Sequence, residues 1–308
     1  MTILFHHPAA LAHLTPKGHP ERPERMRAVE TALAAEGFAG LDRRAPEPAA
    51  LAAVMLAHPE EWVRAILDAV PEEGLVGIDA DTVLSPGTAD CVLRGVGAAV
   101  QGVDAVMSGA AKNAFSAMRP PGHHAERTRA MGFCIFNNAA IAARHARSAH
   151  GAERVAIVDW DVHHGNGSQD IFWDDPSVLF CSTHQMPLYP GSGAVSEAGE
   201  HGTIVNAPLR PGADGAAFRE AFEARVLPRL EDFAPDLIII SAGFDAHWRD
   251  PLANLMLEAE DFAWATQAVM ESAGRHCNGR IVSLLEGGYD LKGLGDSVSA
   301  HVAALMEA

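Results

Sequence analysis

Two short apolar runs constrain this chain more than anything else in it, because each stops abruptly in carboxylates, histidines and glycines. The first leads from Val155-Ala156-Ile157-Val158 into Asp159-Trp160-Asp161-Val162-His163-His164-Gly165-Asn166-Gly167. The second leads from Leu237-Ile238-Ile239-Ile240-Ser241 into Ala242-Gly243-Phe244-Asp245-Ala246-His247. Near-continuous β-branched runs of this length read as strands of a parallel sheet covered on both faces. Ligands of open α/β sheets gather beyond the carboxyl ends of the strands, which is where these polar side chains emerge.

Other segments repeat the pattern. Thr2 to Phe5 predicts a first strand, followed by a loop rich in His, Pro and Gly; a helix then starts near Arg25 and ends before Gly37. Leu41 to Ala57 reads as connection, Pro59 to Ala69 and Thr88 to Met107 as helices, and Ala114 to Met118 as a strand running into Arg119-Pro120-Pro121-Gly122-His123-His124. Asn137 to Ala149 predicts a helix, Val178 to Ser182 a strand, and Gln185 to His201 a polar loop. Gly215 to Leu230 and Glu258 to Ala273 are amphipathic helices, each feeding an apolar strand. The last strand, Arg280 to Leu285, runs into Glu286-Gly287-Gly288-Tyr289, and a helix closes the chain. Strands alternating with helices predict an α/β domain with a central parallel sheet and helices on both faces. With no repeat, low-complexity tail or linker, residues 1–308 read as one domain.

Composition narrows the function. A formal charge of −17 excludes a generic nucleic-acid surface, since nothing here would displace counterions from phosphates. It suits steering of cationic substrates such as basic peptide tails or polyamines, or simply solubility. The four cysteines form no CxxC pair, the start lacks a basic leader, and no apolar run approaches bilayer length. The expectation is a cytoplasmic protein, with no membrane partner and with oligomerisation left open.

The chemistry lies in four strand ends: His123/His124, Asp159/Asp161/His163, Asp245 and Tyr289. The i, i+2 spacing of Asp161 and His163 puts both side chains on one side of an extended segment, so both can reach one ion, with Asp245 as a third ligand. Two Asp and one His suit Zn²⁺ and are compatible with Fe²⁺, Co²⁺ or Mn²⁺. Three protein ligands leave a position for water and a substrate oxygen. An Asp-rich turn that merely caps the helix near Asn166 would need one such residue, not this density. Of the two adjacent imidazoles, Asp159 would orient one and Asn166 the other. Tyr289, after two glycines, suits a hydrogen-bond donor to an oxyanion; alone it would read as loop packing.

These residues resemble the zinc-dependent histone deacetylase superfamily, which includes the bacterial acetylpolyamine amidohydrolases. The matching segments are His19 to Arg25, Arg119 to His124, Gly132 to Asn138, Asp159 to Gly167, Gly243 to Asp245 and Glu286 to Tyr289, in order along nearly the whole chain. Asn166, where some members carry Asp, resembles the class II branch. The resemblance implies an arginase-like deacetylase fold with Zn²⁺ on Asp161, His163 and Asp245. It also implies His123 paired with Asp159, His124 paired with Asn166 and serving as base then acid, and Tyr289 polarising the scissile carbonyl. The Gly132 carbonyl would accept from the substrate amide, Phe133 and Tyr189 would wall an acyl-chain tunnel, and Arg25 would line an acetate-exit channel. A structural K⁺ is implied on Asp159, Asp161, His163, Ser182 and Thr183.

The implied reaction is hydrolysis of an acylated amine, such as acetyl-lysine, to acetate and amine. In polyamine-selective relatives an acid stands seven residues after the last metal Asp; here that position is Leu252, which removes the reason to prefer a charged polyamine. Acetylpolyamine hydrolysis remains the alternative. A dinuclear arginase-type site would need a second aspartate near Asp245, where His247 stands instead. A non-catalytic acyl-lysine reader would not need every catalytic position filled. Asp79 and Asp81 fall near the expected tunnel rim without an assigned place.

Overall fold

A computed structural model describes residues 1–307; Ala308, the last residue of the expected domain, lies outside the described residues. The strands are β1 (Thr2–Phe5), β2 (Asp42–Arg44), β3 (Val76–Gly77), β4 (Val83–Leu84), β5 (Asn113–Ser116), β6 (Val155–Asp159), β7 (Val178–Gln185), β8 (Ile204–Leu209), β9 (Leu237–Ala242) and β10 (Ile281–Leu285). The helices are α1 (Glu24–Leu33), α2 (Leu51–Val54), α3 (Glu60–Asp68), α4 (Thr88–Met107), α5 (Asn138–His150), α6 (Asn166–Ile171), α7 (Gly215–Ala221), α8 (Leu227–Phe233), α9 (Ala259–His276) and α10 (Leu291–Met306).

Eight strands form one parallel sheet in the order β2-β1-β5-β10-β9-β6-β7-β8, and β3 and β4 make a small antiparallel pair apart from it. One layer contains α1, α10, α9 and α8; the other is built on α4 and α5. The central strands are buried throughout, as their apolar runs require. Each large aliphatic side chain so buried contributes about 1.5–3 kcal/mol as an upper estimate. Asn137 caps α5 by accepting from Ala140 N at 2.9 Å, and Gly151 ends it at φ 67°, which is why a helix stops where β6 must begin.

Three stretches differ from the sequence reading. The connection Leu41 to Ala57 contains β2 and the single turn α2, and the stretch after His201, given no element from sequence, contains β8. The expected helix Gly215 to Leu230 is interrupted by a π turn at Phe222–Val226 and continues through Pro228 to Phe233. A proline cannot supply the i→i−4 bond, so an irregular turn ahead of it is expected physically.

A buried histidine in the sheet–helix interface carries a prediction. His301 on α10 is fully buried, with Nδ1 2.6 Å from Thr266 Oγ1 and Nε2 2.8 Å from Ser283 Oγ. Burial pushes its pKa down to about 3. Because the folded value lies below the unfolded one, its stabilising contribution is full above about 6.5 and declines as pH falls toward about 3. The slope of unfolding free energy against pH between 6 and 4.5 is therefore expected to drop by up to about 1.4 kcal/mol per pH unit in a His301→Asn variant. Urea titrations at several pH values measure it; an unchanged slope would refute the assignment.

Candidate active site

Four adjacent strands, β5, β10, β9 and β6, deliver the polar loops to one edge of the sheet. The β6 loop contributes Asp161 and His163, and the β9 loop contributes Asp245. His163 Nδ1 lies 3.1 Å from Asp161 Oδ1 and 3.2 Å from Asp245 Oδ2, so one donor atom from each residue can reach a common point. The other Asp245 oxygen accepts from Val162 N at 2.9 Å and Asp161 Oδ2 accepts from Gly287 N at 2.8 Å, so both carboxylates are held from behind. A Cβ at Gly287 would collide with both carboxylates, and one at Gly243 with Asp161; only glycine lets these loops close on the cluster.

All three groups are buried. Burial raises Asp161, but the His123 charge and the His163 hydrogen bond hold it below the ordinary carboxylate range. For Asp245 burial and the neighbouring Asp161 charge act together and push it up. Burial lowers His163, yet hydrogen bonds to the two carboxylates raise it to about 10. The cluster thus concentrates negative charge on one point, and a divalent cation fits this donor set and its glycine cradle. His247 turns away from it: its Nδ1 accepts from Arg249 N at 3.2 Å and the ring lies against Gly293.

Two imidazoles stand beside the cluster with rings 4.0 Å apart. His123 Nδ1 is 2.9 Å from Asp159 Oδ2, and His124 Nδ1 is 2.8 Å from Asn166 Oδ1. Burial lowers His123, but the Asp161 and Asp159 charges lift it well above the imidazole range. His124, buried and facing the His123 and His163 charges, is driven well below it. The Asn166 amide is oriented by Glu126, whose Oε1 accepts from Asn166 Nδ2 at 2.7 Å. A carboxylate can only accept, so Asn166 Oδ1 must face His124, Nδ1 of His124 must carry the proton, and Nε2 keeps its lone pair.

Above these groups is a cavity of about 260 Å³ lined by Asp81, His124, Gly132, Phe133, His163, Leu188, Tyr189, Leu252 and Tyr289. Gly132, Phe133, Tyr189 and Leu252, the residues expected to contact substrate, all line it. Gly132 has φ 55°, and a Cβ there would strike the His124 ring. Phe133 takes φ 68° without being glycine, a strained conformation that aims its ring at Tyr289, 5.7 Å between centroids. Tyr189 closes the opposite wall, 5.2 Å from the His124 ring. Burial pushes the Tyr289 phenol well above its usual value, against the lowering effect of Arg25.

Arg25, expected at an exit channel, stands apart from this cavity. It lies fully buried behind Tyr289, 4.9 Å from that ring, and donates to Gly288 O at 2.7 Å and Glu286 O at 2.5 Å. Asp159 and Ser182 are register partners on β6 and β7, with Thr183 next along β7, so the five residues expected at a monovalent site fall at the end of β6, in the loop after it and on the adjacent strand. The Thr183 hydroxyl is buried without a partner among the described residues.

Other supporting groups went unread in the sequence. Glu286 Oε2 accepts from Gly122 N and His123 N at 2.6 and 3.1 Å. Asp250 accepts from Tyr289 N at 2.7 Å and Leu252 N at 2.9 Å. Their signal was position alone: Glu286 precedes the two glycines at a strand end, and Asp250 precedes Pro251-Leu252. Asp81 lines the cavity, whereas Asp79 faces Arg129 at 3.6 Å.

Comparison with known proteins gives a consistent result. The model of the histone deacetylase domain matches residues 19–305. A probable deacetylase of Archaeoglobus fulgidus is 40% identical over 299 residues, covering 95% of this chain and 82% of that protein. A histone deacetylase-like amidohydrolase of Pseudomonas aeruginosa is 40% identical over 277 residues, covering 88% of this chain and 73% of its own length. Among solved structures, the HDA15 HD domain superposes with a TM-score of 0.93 at 36% identity, over 99% of this chain and 89% of that one.

Proposed function

The chain belongs to the histone deacetylase family, and on that premise we propose that it is a zinc-dependent hydrolase removing acetyl or related short acyl groups from amines such as acetyl-lysine. The observation that carries the reading is the meeting of Asp161, His163 and Asp245 with His124 and Tyr289 at the floor of one cavity.

Asp161, His163 Nδ1 and Asp245 would hold the divalent cation, which when bound supplies Lewis acidity toward a water and the substrate carbonyl. His124 Nε2, unprotonated for the reasons above, takes a proton from the attacking water and returns it to the leaving amine. His123, kept charged by Asp159, adds positive potential beside the developing oxyanion. The Tyr289 phenol, held protonated by burial, donates to that oxygen, and the Gly132 carbonyl accepts from the substrate amide N–H. Phe133 and Tyr189 grip the aliphatic stem and exclude water. A structural K⁺ on Asp159, Asp161, His163, Ser182 and Thr183 is supported by the pairing of Asp159 with Ser182 and by the Thr183 hydroxyl beside them, unpartnered among the described residues. Arg25 serves Tyr289 by fastening the main chain of the loop that carries it. The reading extends to one catalytic domain in a reducing, cytoplasmic compartment, supported by four buried, unpaired cysteines. Among the described residues no helix is long and apolar enough to cross a membrane.

Leu252 lines the cavity wall where polyamine-selective relatives carry an acid, which favours an uncharged or peptide-borne substrate. The test compares kcat/KM for an acetyl-lysine peptide and N8-acetylspermidine on zinc-reconstituted enzyme. The expected preference is for the peptide; a large preference for the polyamine would overturn this substrate assignment. Tyr289→Phe is expected to lower kcat by ~10²–10³-fold with KM little changed, the usual loss of one oxyanion donor. Steady-state kinetics check it, and an equal loss in Arg25→Lys would point to misplacement of the ring instead.

A further inference from the structure

At the opposite edge of the sheet, three metal-binding side chains converge outside the catalytic site. Asp104 stands in the last turn of α4, and His145 and His150 occupy the last two turns of α5. His145 Nε2 and His150 Nε2 each lie 2.7 Å from the same atom, Asp104 Oδ1. The two rings meet edge to face, 5.7 Å between centroids. The helices pack on each other, so the arrangement is fixed by the fold and not by long flexible stems. The site is half open: the side chains of His145, His150 and Asp104 are 16, 24 and 49% exposed.

We propose that Asp104, His145 and His150 form a second, peripheral site for a borderline transition-metal ion such as Zn²⁺, Cu²⁺ or Ni²⁺. Two imidazole nitrogens and one carboxylate are a donor set those ions favour, and solvent completes the coordination. Convergence on a single oxygen is the point. Two independent hydrogen bonds would be served equally well by the two carboxylate oxygens, whereas a shared ion needs all three donor atoms together, as they are. Electrostatics favour a cation here too. α4 and α5 both end beside the cluster, so the negative ends of two helix dipoles face it.

The position separates this site from catalysis. α5 starts next to the catalytic loops and ends where the chain turns into β6, so it runs the length of the strands, roughly 20 Å for thirteen residues. A bound ion would tie the far ends of α4 and α5 together and stabilise the fold in proportion to its free concentration.

The test is metal stoichiometry on the full chain, measured by competition of added Zn²⁺ with a chromophoric chelator. Wild-type protein is expected to hold two equivalents, and a His145→Asn/His150→Asn variant one, with deacetylase turnover unchanged. Asp245→Ala, which attacks only the catalytic cluster, should also hold one. In wild type, Zn²⁺ beyond the first equivalent should raise Tm; in the double variant it should not. As a further check, Cu²⁺ added to enzyme carrying one equivalent of Zn²⁺ should broaden the ring resonances of His145 and His150 first, and broadening of other histidines first would count against the site. One equivalent in wild type together with none in Asp245→Ala would overturn the peripheral site while leaving the catalytic reading intact. Two equivalents in wild type and none in Asp245→Ala would also overturn it.

Discussion

Asp245→Ala should lose its catalytic-site metal and at least ~10³-fold in kcat/KM, since a Lewis acid contributes several kcal/mol and each 1.36 kcal/mol is a factor of ten. Metal loss alone does not establish the cause, because Asp245 Oδ1 also holds Val162 N. Asp245→Asn separates the two roles: the amide oxygen can still accept from Val162 N, but the ligand charge is gone. Both variants are expected to be inactive, with only the alanine disturbing the loop. Asp245→Asn should not destabilise the metal-free fold by much, because burial and the neighbouring Asp161 charge already push the Asp245 carboxyl up. Asp245→Ala adds the cost of leaving the buried Val162 N–H unpaired, about 1–3 kcal/mol. Chelator competition, circular dichroism and single-turnover assays read the three quantities. Retained turnover in Asp245→Asn would remove the cation from the mechanism.

His124→Ala comes second, at ~10²–10⁴-fold in kcat, the range for one positioned acid–base group. Metal content and KM should stay near wild type, since His124 makes no bond to the Asp161–His163–Asp245 cluster. The supporting contrast is Glu126→Gln. It leaves every group around the cavity in place, but a glutamine can donate as well as accept, so Asn166 is free to turn and the His124 tautomer is no longer dictated. A smaller fall in kcat with unchanged KM is expected. If Glu126→Gln matches wild type while His124→Ala is inactive, the orienting chain stops at Asn166.

Much of this site was legible because its chemistry sits at strand ends. Apolar runs announced β6, β9 and β10, and the residues following them had to emerge at one edge. What failed to show was whatever depended on edges and neighbours. β8 reads Ile-Val-Asn-Ala-Pro-Leu, and β2 reads Asp-Arg-Arg. Both are edge strands, where prolines and charges are tolerated and the apolar signature is weak. The π turn ahead of Pro228 preserves amphipathic spacing, so periodicity could not reveal it. Arg25 is singled out by its motif, but that α1 carries it behind Tyr289, with its bonds to main-chain carbonyls, is a matter of packing that its neighbours in sequence do not reveal. Asp104, His145 and His150 meet only because α4 and α5 pack side by side, which no local pattern encodes.

The strand order has a consequence for biosynthesis. β10 is the last strand made, yet it lies in the middle, between β5 and β9. Until residues 281–285 leave the ribosome, the nascent chain holds two half-sheets with unsatisfied edges facing each other, open to pairing with other chains. Tyr289 follows that strand directly, so a polypeptide truncated before β10 is an aggregation hazard that never becomes a partly active enzyme.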